Sequence, residues 1–576
     1  MEVWKILLGS DAEVIGHTVV NDAEGTMCNE KRATEEIRKH FNNMFNTDTA
    51  KEFFARPQPM QQPFTAEEVK TAANRLKNNK SAGIDDITAE HLKHAPQEVY
   101  QEIADIFNNI AETGEFPVEL NTGILIPLQK PGKPKGPPGN LRPIVLLTML
   151  RKLLAICMIK RSGSKIDARI PRTQAAYRAG RSTTEQAFVL KILAEKAITA
   201  EDYQIIILLM DMSKAFDTVE RENLLQLLST ILENDELHIL KVLLTNIQLT
   251  VKYKKSLGTM FTTNTGVPQG DCLSPILFTL YLAKALSYEE TQPTTQDHDY
   301  ALKTRHISKP YENMLPEALK DHTYSNFSNG VCINQQYADD ISWISTVEAT
   351  ISEVKNTVPE KLKTYNLHTN PTKDEEYTVK RNGPEDWKEC KYLGSKLDTD
   401  TDIRSRKQKA MAAFNQYKSI LLDKKLGLSI RLRVFNAYVK SIFLYNSELW
   451  TTNKKVNNTI DVFQRNLYRK MLQIRWPHRI SNIELYKRVN TEEWSTTVKR
   501  RRLIWVGHLL RLHEETPAQQ ALAEATRRVK LPRGGQKSTW VRGVNRDLKE
   551  VGYSELGMGV HTSAQDRKTW RKTVMK

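Results

Sequence analysis

Two short apolar runs that meet acidic residues set the tightest limit on how this chain folds. Ile205 to Met210 is a β-prone stretch whose composition suits a strand covered on both faces, and Asp211 closes it. Far downstream, Tyr337-Ala338-Asp339-Asp340 leads into Ile341, Trp343 and Ile344, the pattern of a β-hairpin turn carrying two acids. Adjacent aspartates at such a turn put carboxylate oxygens at a sheet edge. A third acid on a neighbouring strand completes a cage for hard divalent cations, which take oxygen ligands. Two such ions close together activate a 3′-hydroxyl and stabilise a leaving pyrophosphate, so the expected chemistry is metal-dependent nucleotidyl transfer.

At 576 residues the chain has material for several domains, each with its own core. Its five cysteines (Cys28, Cys157, Cys272, Cys332, Cys390) are scattered and never spaced C-x-x-C, which supports neither a disulfide framework nor a zinc finger. A reducing, intracellular setting is expected. The start, Met1 to Gly9, carries an early acid and an apolar stretch too short for a secretion signal, and Ile205–Met210 is far too short to span a bilayer. No membrane partner is expected.

The net charge of +16 is unevenly placed. Residues 401–576 hold 37 Lys and Arg against 14 Asp and Glu, which leaves 47 basic and 54 acidic residues in 1–400. The whole excess therefore sits in the last third, where neutralising phosphates and releasing counterions favours a polyanion partner.

Residues 1–60 read as a polar leader or linker, with Ile37, Phe41, Met44 and Phe45 at helical spacing before a Pro/Gln-rich break. Thr65 followed by Glu67 and Glu68 signals a capped helix running to Leu76. Ile124–Leu128 and Asn140–Leu147 are strands on either side of the stiff basic loop Lys130–Pro138, a hairpin able to fold over a triphosphate. Gly266-Val267-Pro268-Gln269-Gly270-Asp271 is a turn ahead of an apolar helix, Leu273–Leu286. From Arg404 onward amphipathic helices dominate, among them Arg431–Trp450 and Ile460–Ile474. The organisation expected is a leader at 1–60, a second segment at 61–200, a sheet domain at 201–400 with an insertion at about 287–330, a helical segment at 401–500, and a basic end at 501–576.

Six segments occur in a telling order: Asn140-Leu141-Arg142-Pro143-Ile144, Gln174 to Thr183, Asp211-Met212-Ser213-Lys214-Ala215-Phe216-Asp217, Gly266 to Gly270, Tyr337 to Asp340, and Tyr392-Leu393-Gly394. Together they resemble the reverse transcriptase of non-LTR (LINE-type) retrotransposons. The resemblance implies an α/β (α+β) right-hand polymerase, with fingers at 61–200, a palm on an antiparallel sheet at 201–400 and a helical thumb at 401–500. It implies RNA-directed DNA synthesis with two Mg²⁺ ions, Mn²⁺ being able to substitute, on an RNA template, a DNA primer or target, and dNTPs. Asp211, Asp339 and Asp340 would hold the metals, joined by the backbone carbonyl of Met212. Asp217 is read instead as a cap or turn residue. Phe216 would exclude a ribose 2′-hydroxyl, Lys130 and Arg142 would meet the triphosphate, and Gln269 would lie against the templating base pair. Lys373 would serve as general acid to pyrophosphate, and Tyr392-Leu393-Gly394 as the primer grip.

Arg178 and Arg181, with Lys499, Arg500, Arg501 and Arg502 ahead of Leu503-Ile504-Trp505-Val506-Gly507-His508, are the expected nucleic-acid contacts. The order R-R-L-x-W-x-G-H is similar to the C-terminal region of several non-LTR elements. Arginines beside Trp476, Trp494 and Trp505 suit single-stranded or hybrid nucleic acid, although each tryptophan alone is read first as helix packing. The sequence shows no endonuclease ahead of the polymerase segments and no Cys/His knuckle behind them, so the expectation is a chain that does not nick its own target. A nuclear site of action follows from the resemblance, with a cytoplasmic ribonucleoprotein as the other setting. Two rival readings stay open: a decayed or domesticated RNA-binding protein, and a maturase-like or telomerase-like polymerase.

Overall fold

The computed structural model describes residues 19–22, 24–48, 50–200, 203–286, 332–514, 516–526 and 538–575. The expected insertion at about 287–330 and the segment Met1–Gly9 lie outside the described residues. In chain order the strands are β1 (Thr122–Gln129), β2 (Leu141–Leu146), β3 (Gln204–Met210), β4 (Met212–Ser213), β5 (Ile247–Tyr253), β6 (Ser256–Leu257), β7 (Phe261–Thr263), β8 (Cys332–Tyr337), β9 (Asp340–Ser345), β10 (His368–Thr369), β11 (Glu375–Lys380), β12 (Lys391–Tyr392) and β13 (Ser395–Lys396). Every later described element is helical, so the loss of strand signal after Arg404 is real. The class is mixed α/β with antiparallel pairing dominant. Two compact units divide the chain: one from 1–179, 211–290 and 356–370, the other from 180–210, 291–355 and 371–576.

In the first unit, β1 and β2 form an antiparallel hairpin in the register Ile124↔Leu146 to Gln129↔Leu141, and β1 continues the sheet by pairing in parallel with β5. The helix Glu30–Met44 covers this sheet. Asn29 caps it by accepting from the Arg32 amide at 3.0 Å, and Ile37 and Phe41 share a core with Leu125, Val145 and Val251. The segment expected as a polar leader is thus part of the fold, because its helical apolar stripe has a sheet face to cover. Thr65 caps the helix Ala66–Arg75 from Oγ1, accepting from Glu68 N at 3.3 Å, a contact worth about 1 kcal/mol.

The second unit is built on an all-antiparallel sheet in the order β11-β3-β9-β8. β3 is central, with Ile205 to Leu208 buried, as its unbroken apolar run required. Ile205, Ile207, Ile344 and Val379 pack against Phe188 and Leu193 of the helix Thr183–Thr199, and the same core takes in Trp505, Trp540 and Trp570. Residues beyond 501 therefore share a core with the sheet.

The expected helix Arg431–Trp450 is interrupted. It runs as Leu428–Phe435, a π turn over Asn436–Lys440, Ser441–Phe443, and a 3₁₀ turn over Ser447–Leu449. Asn446 breaks it by turning left-handed (φ 54°), which lets its side chain accept from Thr184 Oγ1 at 2.8 Å and donate to Ser395 Oγ at 3.0 Å. The expected helix Ile460–Ile474 is observed as Lys454–Leu472.

Candidate active site

The hairpin β8–β9 closes with Tyr337 paired to Asp340, leaving Ala338 and Asp339 as the turn. Ala338 sits at φ 57° and is buried, so the position tolerates only a small side chain without added strain. Asp339 is half-buried and Asp340 exposed, while Ile341, Trp343 and Ile344 are buried. β9 pairs with β3 in the register Ile206↔Ser345 to Met210↔Ile341. Both strands thus reach one end of the sheet together, Met210 as the last residue of β3 and Ile341 as the residue after Asp340. Beside them, Tyr392 of β12 accepts a hydrogen bond from Ser342 Oγ at 3.3 Å, and the nearby Asp340 charge adds to burial in raising the pKa of its phenol.

The next segment, Leu393-Gly394, is a left-handed turn (φ 45° and 82°). Tyr445 donates its hydroxyl to Leu393 O at 3.1 Å, Arg406 donates to Gly394 O, and the Arg406 guanidinium lies 4.6 Å from the Tyr445 ring centroid. The turn is consequently anchored from two sides. Lys373 is exposed in the 3₁₀ turn Pro371–Lys373 that leads into β11.

In the first unit the chain beyond Asp211 is held by pairing of β4 with β10, in which Met212 faces Thr369, and by Asn370 N donating to Asp211 O at 2.8 Å. Asp211 itself is half-buried. Phe216 is half-buried and stacks on the buried Phe278 with centroids 4.2 Å apart. Gln269 is half-buried and donates from Nε2 to Asp217 Oδ1 at 2.9 Å. Lys130 stands at the end of the β1–β2 hairpin, its Nζ donating to Gly139 O at 2.9 Å, and Arg142 is exposed on β2 opposite Leu128. The positive charges of Lys130 and Lys214 both reach Asp217.

Asp217, read from the sequence as a cap or turn residue, is buried beside Gln269. The residue is 5% exposed, and burial raises its pKa from 3.8 to about 6 against the opposing pull of Gln269, Lys130 and Lys214. The available signal was an acid directly after Phe216, between the apolar Ala215 and Val219.

The expected nucleic-acid contacts need correction. Arg502 is fully buried: Nε meets Asp547 Oδ2 at 2.7 Å, and the other nitrogens donate to Trp450 O at 2.6 Å and Thr452 Oγ1 at 2.8 Å. A guanidinium so enclosed cannot reach a phosphate. Arg178 is held by Asp167 and by the carbonyls of Pro171 and Gln174. Arg181 pairs with Glu185, which is itself buried and bonded to His508 Nε2 at 3.0 Å. Both brace loops. Lys499 and Arg500 remain partly exposed against Glu550 and Glu492, and Arg501 meets Leu444 O and Glu448. Trp494 and Trp505 are buried packing residues, whereas Trp476 is 79% exposed in a loop with exposed Arg475, His478 and Arg479.

Among the described residues no group of three or more Asp, Glu, His and Cys side chains is gathered as a ready cation cage, and no helix is long and apolar enough to cross a membrane.

Comparison with known proteins gives this geometry a family. Residues 128–397 match the model of the family described as "Reverse transcriptase (RNA-dependent DNA polymerase)". Among similar proteins is the probable RNA-directed DNA polymerase from transposon BS of Drosophila melanogaster, 25% identical over 485 residues, covering 81% of this chain and 51% of the relative. Another is the probable RNA-directed DNA polymerase from transposon X-element of the same organism, 27% identical over 411 residues, covering 67% of this chain and 41% of the relative. The chain thus spans about half the length of these relatives. A solved telomerase from Candida Tropicalis, in complex with a fragment of telomeric RNA, aligns over 74% of this chain and 68% of its own, with 16% identity and a TM-score of 0.35. Reverse transcriptases as a family use divalent metal ions. Residues 128–397 of this chain are a reverse transcriptase domain.

Proposed function

We propose that this chain copies RNA into DNA by adding deoxynucleotides to a primer 3′-hydroxyl, with Asp211, Asp339, Asp340 and the Met212 carbonyl holding two Mg²⁺ ions. The observation that carries the reading is the β3–β9 register, which pairs Met210 with Ile341. In the sequence Asp211 directly follows Met210 and Asp340 directly precedes Ile341, from positions more than a hundred residues apart in the chain. The donor set is chemically suited to the ions, since carboxylate and carbonyl oxygens are what Mg²⁺ takes and none of the four is a soft ligand. When bound, the ions supply charge that offsets the developing phosphoryl charge and favours the ionised 3′-hydroxyl.

The chain's own residues do the rest. Lys130 and Arg142 neutralise the triphosphate from the β1–β2 hairpin, Arg142 with a fork of donors and Lys130 as a point charge. Phe216, backed by Phe278, lies under the sugar and admits a deoxyribose. Gln269 is set against the templating pair, Lys373 protonates the departing pyrophosphate, and the Tyr392–Gly394 turn holds the primer strand. On this reading the chain is a right-hand polymerase, and its proposed setting is target-primed synthesis in the nucleus. Trp476 with Arg475 and Arg479 offers a stacking face and two phosphate contacts for the template or product strand.

The test is extension of oligo(dT) on poly(rA) with Mg²⁺, wild type beside Asp339→Ala. Extension by the wild type and its loss in the variant is the expected result. RNA binding without extension by either protein would favour a binding-only role.

A further inference from the structure

Gln269 is fixed at both ends of its own residue. Its carbonyl accepts from Val145 N of β2 at 2.8 Å, and the following Gly270 (φ 132°) lies so close to β2 that an added Cβ would stand 2.2 Å from Val145 O. Its side-chain amide donates to Asp217 Oδ1 at 2.9 Å. Asp217 is itself locked: its N–H donates to Lys214 O at 2.8 Å, and its carbonyl lies 2.7 Å from where a Cβ on Gly266 would be. The two chain segments are bonded on either side of it, Val267 N to Phe216 O at 2.9 Å and Gly266 N to Val219 O at 2.8 Å. Arg221, nearly fully buried, completes the clamp by donating from Nε to Gly266 O at 2.8 Å and from its remaining nitrogens to the carbonyls of Thr263 and Thr265 at 2.6 and 2.9 Å.

A carboxylate accepts and cannot donate, so the Gln269 amide must turn its NH₂ toward Asp217 and its carbonyl oxygen the other way. A neutral partner able to donate as well as accept imposes no such choice. We propose that Asp217 is a positioning residue for nucleotide selection, which fixes the polarity of the Gln269 amide and the seat of Phe216 before a nucleotide arrives. It touches no reacting atom; it acts through the two residues read as meeting the incoming nucleotide, and so rests on that reading of the site. The consequence is kinetic. Preorganisation of a side chain contributes to binding, so its loss weakens capture of the nucleotide without altering the cations or the 3′-hydroxyl.

The experiment is steady-state extension on poly(rA)/oligo(dT) with dTTP as the varied substrate, comparing wild type, Asp217→Asn, Gln269→Ala and the double variant. Asp217→Asn keeps the volume while removing the charge; Asp217→Thr serves the same comparison if thermal melting shows that the asparagine variant does not fold. The expected result is a rise in KM for dTTP of about 3- to 10-fold at nearly unchanged kcat. Gln269→Ala should raise KM at least as far, and adding Asp217→Asn to it should add nothing, the mark of two residues acting as one device. A fall in kcat and melting temperature at unchanged KM would reduce Asp217 to a brace of the fold. Equal and additive effects of Asp217→Asn in both backgrounds would also overturn the inference. Absence of extension by the wild type would sink the polymerase reading itself, whereas a wild-type KM in Gln269→Ala would sink only the contact on which this inference rests.

Discussion

Arg502 separates two accounts of the basic C-terminal sequence, and its removal has a cost that follows from its surroundings. Its guanidinium is 0% exposed, bonded to Asp547 at 2.7 Å and to two neutral acceptors, and Asp547 is itself buried. Replacement by alanine leaves that carboxylate without its cation. Breaking a buried pair from one side typically costs about 3–5 kcal/mol, because the remaining charge keeps its desolvation penalty. With about 2.1 cal/mol/K of unfolding entropy per residue over a unit of about 300 residues, or roughly 1.6 °C per kcal/mol, Arg502→Ala should lower the melting temperature by about 5–8 °C. Part of the cost would be met by Asp547 taking up a proton, since burial already raises its pKa and Arg502 opposes that rise. Differential scanning calorimetry measures the shift. Arg502→Met with Asp547→Leu should recover most of it, because apolar groups of similar size carry no charge to strand. Lys499→Ala and Arg500→Ala remove pairs with exposed partners and should shift stability by under about 1 kcal/mol. An Arg502→Ala protein that melts like the wild type but loses RNA affinity, with the salt slope reduced by about one, would refute this reasoning and restore a phosphate contact.

Other outcomes follow from the same geometry. Phe216→Val should let ribonucleotides into the product, read by alkali-sensitive breaks in the extended strand; unchanged sugar discrimination would remove Phe216 from the nucleotide site. Trp476→Ala should weaken binding of a single-stranded RNA by roughly 5- to 150-fold, the range of about 1–3 kcal/mol for one stacked base, measured by fluorescence anisotropy at fixed salt. Asp217 gives a pH dependence of defined sign. Its pKa rises on folding from 3.8 to about 6, so its protonated form favours the native state, and that stability is present below about pH 4 and lost as pH rises through 6. Two units correspond to about 3 kcal/mol over the whole window, of which about 2 kcal/mol falls between pH 4.5 and 7, so urea melts at those two pH values should show wild type losing ground to Asp217→Asn by about that smaller amount. Parallel pH profiles would contradict the burial argument.

What could be read in the sequence was what local chemistry decides. An unbroken apolar run closed by Asp211 became the strand β3, and two acids between apolar residues became the end of a hairpin, because composition and turn residues suffice to specify both. Pro268 and Gly270 marked a turn that the closeness of β2 makes obligatory for glycine. What escaped depended on partners distant in the chain. Lys499-Arg500-Arg501-Arg502 reads as one basic run, yet its last member faces Asp547, forty-five residues on, and only packing reveals that. In R-R-L-x-W-x-G-H the glycine is needed because Trp570 lies against it, with Nε1 only 2.3 Å from where a Cβ would be, and the histidine bonds to Glu185. The motif therefore builds the core. The break at Asn446 escaped for the same reason, since helical periodicity persists across it and its partners are Thr184 and Ser395. Asp217 resembled a turn residue, which it is, and its bond to Gln269, fifty-two residues on, was not legible from local sequence.

The most direct measurement is to ask whether one cation site is shared by the end of β3 and the β8–β9 turn. Fe²⁺ in place of Mg²⁺, with ascorbate and peroxide, cuts backbone close to the bound ion, and the fragments locate the cuts. Cleavage at both 210–213 and 338–341, suppressed by excess Mg²⁺ and lost together in Asp211→Asn, is the outcome that a shared site requires. Cleavage at one segment alone, or at the hairpin undiminished in Asp211→Asn, would show that these acids do not hold an ion in common.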